Sequence, residues 1–179
     1  MSKLKNVKVL TTVAMLLALA TVFGFLKVPI TNLIEIRFGF IPIAIGSALF
    51  GPAVGGVVGG LADILGYLAK PTGPFFPGFT ISSIVSGIIF GVILHGSKGF
   101  KGDNKSLVIR IFAAELVNTL IVGLLINSYN LSFLYGTPFV ATMTARIAKE
   151  MIMLPINTVI LSACLIPSHK LAVRMLRVE

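Results

Sequence analysis

Arg146, Lys149, Glu150, Met153 and Asn157 recur at spacings of three and four, the interval at which side chains stack along one face of a helix. Two cations beside one acid leave that face net positive, suited to clamping a carboxylate. Glu150 either orients Lys149 or accepts donors from a ligand ring; the plainer alternative is a self-neutralising cluster that anchors its helix. A second stripe carries Gly59, Asp63, Gly66, Tyr67 and Lys70. Asp63 either meets a ligand or closes an ion pair with Lys or Arg from another helix. Glu115 and Asn118 are i, i+3 neighbours: Glu115 pairs with Arg110, with a neighbouring helix or with a ligand, and Asn118 is the better ligand candidate. Arg37 can pair with Glu35 or hold an anion. These groups lie in or beside long apolar runs, where an ionisable side chain costs about 2.5–3.5 kcal/mol on insertion scales and marks function by default.

The stretch from Lys70 to Thr80 reads Lys-Pro-Thr-Gly-Pro-Phe-Phe-Pro-Gly-Phe-Thr. Its prolines and glycines forbid a continuous helix, and Phe75, Phe76 and Phe79 are presented from a loop. Such a loop suits a lid, with Pro limiting the entropy lost on closing and Phe stacking on a flat aromatic ligand. The alternative is a tight turn whose rings dip into the membrane interface. Chemistry of other kinds is missing. After Gly96 the order is Ser97-Lys98, whereas a phosphate-binding loop needs Lys followed by Ser or Thr. No Ser/His/Asp set, HExxH or paired catalytic carboxylates occur, and His95 and His169 lie away from the polar stripes. The single Cys164 permits no intrachain disulfide or thiolate cluster. No enzyme, resident cofactor or metal site is expected.

The elements that must position these residues are membrane helices. Of 179 residues 56% are hydrophobic and only 12% charged, against about 25% charged in soluble domains; the mean hydropathy is +1.00. Apolar runs cover approximately 9–26, 38–50, 53–69, 79–94, 107–126 and 144–166. A bilayer core takes ~20 apolar residues as helix. The runs do not alternate as barrel strands do, and helices satisfy their own backbone groups in lipid. The expected fold is an all-α membrane protein, a single domain over 1–179 forming a bundle of six transmembrane helices. The first run follows Lys3, Lys5 and Lys8, like a signal peptide, but it is long and five more runs follow. Gly51, Gly55 and Gly59, with Gly56 and Gly60, form small-xxx-small patterns read as internal helix packing; Ala14 and Ala18 form another.

Charge orients the bundle. The net charge is +9, with 15 Lys+Arg against 6 Asp+Glu. The basic residues sit in short gaps between apolar runs, so they read as topology signals and not as a nucleic-acid interface. With the N-terminus inside, the inner side holds Lys3, Lys5, Lys8, Lys98, Lys101, Lys105, Arg110, Lys170, Arg174 and Arg177. The outer side holds Lys27, Arg37, Lys70, Arg146 and Lys149. This bias places both termini in the cytoplasm. Positive charge retained outside suits an anionic solute, or snorkels to headgroups as expected of Lys27.

Ala14-x-x-x-Ala18, Arg37-Phe-Gly-Phe-x-Pro42, Phe50-Gly51-Pro52 with its glycine series, and Pro71-Thr72-Gly73-Pro74-Phe75-Phe76-Pro77-Gly78-Phe79-Thr80 together resemble the substrate-binding S components of energy-coupling-factor (ECF) vitamin transporters, most of all the folate-specific members. The resemblance implies high-affinity vitamin capture at the outer face of the cell membrane. It also implies a separate transmembrane coupling protein and two ATPase subunits, which use the ATP. Ala14 and Ala18 would dock on the coupling protein, and the loop from Gly73 to Thr80 would close over the ligand with Pro77 in it. Folate would suit the inventory: Asp63 for adjacent pterin donors, Arg37, Arg146 or Lys149 for the dianionic tail, and Phe75, Phe76 or Phe79 for stacking. Tyr67, Asn118 and Glu150 complete the candidate ligand contacts. Alternatives are another flat heterocyclic vitamin or precursor, or a self-sufficient proton-coupled carrier.

Overall fold

A computed structural model describes residues 7–25, 27–31, 34–71, 75–95 and 104–176. Helix α1 (Val7–Phe25) leads into a hairpin of β1 (Lys27–Thr31) and β2 (Ile34–Arg37). Then come α2 (Phe40–Phe50), α3 (Pro52–Ala69) and α4 (Pro77–Leu94). α5 (Asn104–Asn118) runs through a π-helical segment (Thr119–Ile126) into α6 (Asn127–Tyr135), and α7 (Phe139–Leu176) ends the described chain. Taken as continuous rods, these are six helices, as expected of an all-α bundle. The hairpin is the addition: its strands pair antiparallel with Lys27 opposite Arg37 and Pro29 opposite Glu35. Val28, Ile30, Thr31, Ile34 and Ile36 supply the β-branched content that favours extended pairing.

Glycine and proline set the breaks. Gly51, at φ 99°, closes α2 with its N–H donating to Ser47 O, a backbone conformation that glycine tolerates. Pro52 then opens α3 and Pro77 opens α4, positions where a missing N–H costs nothing. Gly136, at φ 64°, ends α6 in a left-handed cap. Among the described residues, four rods are long and apolar enough to cross a membrane: Pro52–Ala69, Pro77–Leu94, Lys105–Tyr135 and Phe139–Ser168. α1 and α2 are shorter apolar helices. With 11 residues, α2 rises only about 16 Å, roughly half of a hydrocarbon core. Met15, Val92, Ile109, Met151 and Ile152 are exposed on the rods' outward faces, as lipid contact requires. The chain is an integral membrane protein.

Alternation of the rods puts the hairpin, the α3–α4 connection and the α6–α7 turn at one end, here the hairpin end. Gly51 and His95 mark the other, and His95 Nδ1 lies 2.9 Å from Ala48 O there. Two apolar cores result. Ala20, Ile43, Val54, Val58 and Ala62 join α1, α2 and α3. Ala44, Phe90, Leu94, Ile111, Leu161 and Leu165 join α2, α4, α5 and α7. The glycine series does what its spacing implied. A Cβ on Gly55 would strike Ser47 Oγ and Gly87 O, one on Gly59 would strike Ser83 O, and one on Gly60 would press on Ile84. α3 and α4 therefore touch backbone to backbone.

Candidate ligand-binding site

At the hairpin end, α3 and α4 present the first part of the site. Thr80 Oγ1 donates to Asp63 Oδ2 at 2.7 Å, tying the α4 start to α3. One carboxylate oxygen thereby accepts one hydrogen bond, which leaves lone pairs on both oxygens for further donors. Tyr67 packs on Phe75 with centroids 5.1 Å apart. Phe76 contacts Phe79 edge-on and Phe133 of α6, each at 5.8 Å, distances typical of attractive aromatic pairs. Beneath the rings, Asn130 Nδ2 donates to Ser82 Oγ at 3.1 Å, and Ser82 donates to Gly78 O at 3.0 Å. A Cβ on Gly78 would overlap Phe76 and Asn130, so the aromatic loop is seated directly on α6.

The second part lies between the α5–π–α6 rod and α7. Arg146 is 8% exposed; its Nη2 donates to Glu150 Oε1 at 3.1 Å, and Lys149 Nζ lies 3.7 Å from the same oxygen. Met153 on this face is buried while Met151 and Ile152 face outward, so the spacing read from the sequence does describe one inward face. Gly123, inside the π segment, lets that segment come down onto the Glu150 carboxylate: a Cβ there would stand 3.0 Å from Cδ. π-helical turns inside α-helices concentrate at functional sites. On the α5–π–α6 rod and α7, Glu115 Oε1, Asn118 Oδ1, Asn127 Oδ1, Ser128 Oγ, Arg146 Nε and Asn157 Oδ1 are buried without a hydrogen-bond partner. Each such group costs about 1–3 kcal/mol if left unsatisfied. These groups supply the polar character of the second part of the candidate site.

Several sequence candidates meet in these two places: Asp63, Tyr67, Phe75, Phe76, Phe79 and Thr80 in the first, Asn118, Arg146, Lys149 and Glu150 in the second. Pro77 opens α4 at the first. Gly73 lies outside the described residues, as does the side chain of Arg37, whose backbone belongs to β2. Glu115 Oε1 meets neither Arg110 nor any other hydrogen-bond partner. Sequence reasoning did not single out Ser82, Gly123, Asn127, Ser128, Asn130 or Phe133. Asn127-Ser128-Tyr129-Asn130 is itself a polar signal, read as the end of an apolar run, whereas the helix continues to Tyr135. Away from the site, Ala14 and Ala18 are exposed on α1.

The description "ECF transporter, substrate-specific component" matches residues 8–165. The chain belongs to this family. Among relatives of this S component, the folate transporter FolT of Clostridium novyi (strain NT) is 36% identical over 159 residues, 88% of each chain. FolT of Leuconostoc mesenteroides is 31% identical over 80% of this chain and 77% of its own. The riboflavin transporter RibU of Staphylococcus aureus is 30% identical over 74% and 69%. A crystal structure of FolT bound with folic acid superposes with a TM-score of 0.74 at 27% identity, covering 87% of this chain and 91% of that one. The family is a transporter substrate-binding component, which agrees with the lack of catalytic motifs in the sequence.

Proposed function

We propose that this S component captures folate at the outer face of the cell membrane for an ECF-type ABC importer. The observation that carries the reading is the 36% identity to a folate transporter across 88% of both chains. The geometry supports it: a flat ring system with a dianionic tail needs aromatic surfaces, buried polar partners and cations, and the two parts of the site offer these. The ligand-facing set is Arg37, Asp63, Tyr67, Gly73, Phe75, Phe76, Pro77, Phe79, Thr80, Asn118, Arg146, Lys149 and Glu150. The hairpin end faces outward and both termini lie in the cytoplasm, by the bias of basic residues. Calorimetric titration of the purified chain with folate and riboflavin tests the reading. Saturable folate binding without comparable riboflavin binding is expected; absence of folate binding overturns it.

Asp63→Ala should weaken folate binding by ~1–3 kcal/mol, the cost of removing a polar partner from a half-buried site. Asp63→Asn separates charge from position, because an amide oxygen can still accept from Thr80. Retained affinity in Asp63→Asn assigns Asp63 to holding the aromatic loop, and loss equal to that of Asp63→Ala assigns it to direct contact by charge.

Energy comes from partners in this reading: a transmembrane coupling protein and two ATPase subunits that consume ATP. The exposed Ala14 and Ala18 offer a shallow surface on which another helix can lie closely. Ala14→Trp should abolish co-purification with that module while folate affinity stays unchanged. Intact co-purification removes α1 from the interface.

A further inference from the structure

We propose that a groove between α3 and α4, on the lipid-facing side of the bundle, holds one acyl chain of an anionic phospholipid whose phosphate lies beside Lys70. The inference is independent of the folate reading. Gly56 and Gly60 of α3 form the floor of this open groove, which measures about 250 Å³. Val57, Leu61 and Ile64 line it on one side, and Thr80 and Ile84 of α4 on the other. Val57, Leu61 and Ile64 are exposed, so that wall stands clear of the bundle.

The chemistry of the groove selects its occupant. It offers no polar surface, because the hydroxyl of Thr80 is turned to Asp63 Oδ2 at 2.7 Å. A water molecule needs two to four polar partners and finds none there. Left empty, the slot forfeits dispersion contacts along its whole lining, so an apolar occupant fills it. A partner helix does not fit. With side chains it is about 10–12 Å across, and close docking would use the notch at Gly56 and Gly60. That notch is already filled: a Cβ on Gly60 would stand 2.8 Å from Ile84 Cγ1, and one on Gly56 would stand 3.1 Å from Ile88 Cγ1. What remains admits a thin, flexible chain.

Depth and charge say which chain. Lys70, exposed at the C-cap of α3, lies about 9 Å along the helix from Ile64 and about 15 Å from Gly60. Half of a hydrocarbon core is also about 15 Å. With Lys70 at headgroup level, the groove from Ile64 to Gly60 lies among the acyl chains of the leaflet at the hairpin end. Exposed Leu68 continues the ridge of Leu61 and Ile64 at helical spacing toward Lys70. Lys70 is the single cation between Pro52 and Leu94, and a lipid phosphate complements it.

The test is native mass spectrometry of the full, delipidated chain in detergent with added dioleoyl phosphatidylglycerol. Dihexanoyl phosphatidylglycerol, with the same headgroup on chains too short for the groove, is the comparison. A single firmly retained dioleoyl lipid is expected, and no retained dihexanoyl lipid. Ile64→Trp and Leu61→Trp fill the groove from its exposed wall and should remove that lipid. Ile109→Trp, on the exposed face of α5, should keep it. Lys70→Gln should lower the affinity about fivefold, to that of dioleoyl phosphatidylcholine. Monodisperse elution and wild-type melting establish folding; if both tryptophan variants fail there, Lys70→Gln and the short-chain lipid decide. Equal retention in wild type and the folded groove variants overturns the groove as the site. Firm retention of the dihexanoyl lipid overturns recognition of the acyl chain, and unchanged affinity in Lys70→Gln overturns the placing of the phosphate. A wild-type dimer that Ile64→Trp converts to monomer gives the groove to a second copy and overturns the lipid.

Discussion

Replacing Gly87 with Val is expected to leave no folded protein. A Cβ at Gly87 would fall on the backbone of Gly55 and Gly56, while a Cβ at Gly55 would strike Gly87 O. The contact is therefore between two helix backbones, with no flexible side chain to swing aside. Extra methylenes in an ordinary core cost about 1–3 kcal/mol. Here α3 and α4 must move apart, and in lipid their association depends on close van der Waals packing. The loss extends to Asp63–Thr80, which bridges the same two helices. Size-exclusion elution and thermal melting in detergent read the outcome. Gly66→Ala on α3 is the control: nothing lies within 4 Å of its Cβ position, and removing a helical glycine gains about 0.5–1 kcal/mol. If Gly87→Val melts like wild type, close α3–α4 packing is not what holds the bundle.

Arg146→Ala should produce the largest loss of folate affinity among folded variants. Arg146 and Glu150 are nearly buried, their side chains 10% and 12% exposed, so removing the cation strands a carboxylate that Lys149 at 3.7 Å satisfies only in part. Breaking a buried pair costs about 3–5 kcal/mol of stability. The ligand tail loses a charge-assisted bond worth about 1.5–3 kcal/mol, roughly ten- to hundredfold in Kd. Arg146→Lys keeps the charge without the planar fork and should recover part of the affinity. Titration and melting of both variants check this; unchanged affinity in Arg146→Ala removes it from the site.

Local periodicity made the cluster on α7 legible, because spacings of three and four fix a helical face whatever surrounds it. The aromatic loop was legible for a related reason, since Pro and Gly act on their own backbone. Partners across the bundle were not. Ser82 and Asn130 are 48 residues apart, and nothing in either neighbourhood announces the other. Asn127 to Asn130 interrupted an apolar run although the helix goes on, because hydropathy measures solvent preference while helix continuation here depends on packing against α4 and α7. The hairpin after α1 was also hidden, lying in a segment too short for periodicity to speak.

The π segment has a consequence for how this site tolerates change in chain length. Wide turns absorb residues that a regular helix would not, so Thr119–Ile126 acts as a local insertion lodged within a rod. Deleting one residue there would let the rod return to α-helical winding, and because the wide turns already absorb that residue, the helix beyond would nearly keep its bearing. Asn130 and Phe133 would stay near Ser82 and Phe76, while the turn that brings Gly123 onto Glu150 would tighten. The same deletion in α5 has no such reserve and would turn everything beyond it by about 100°.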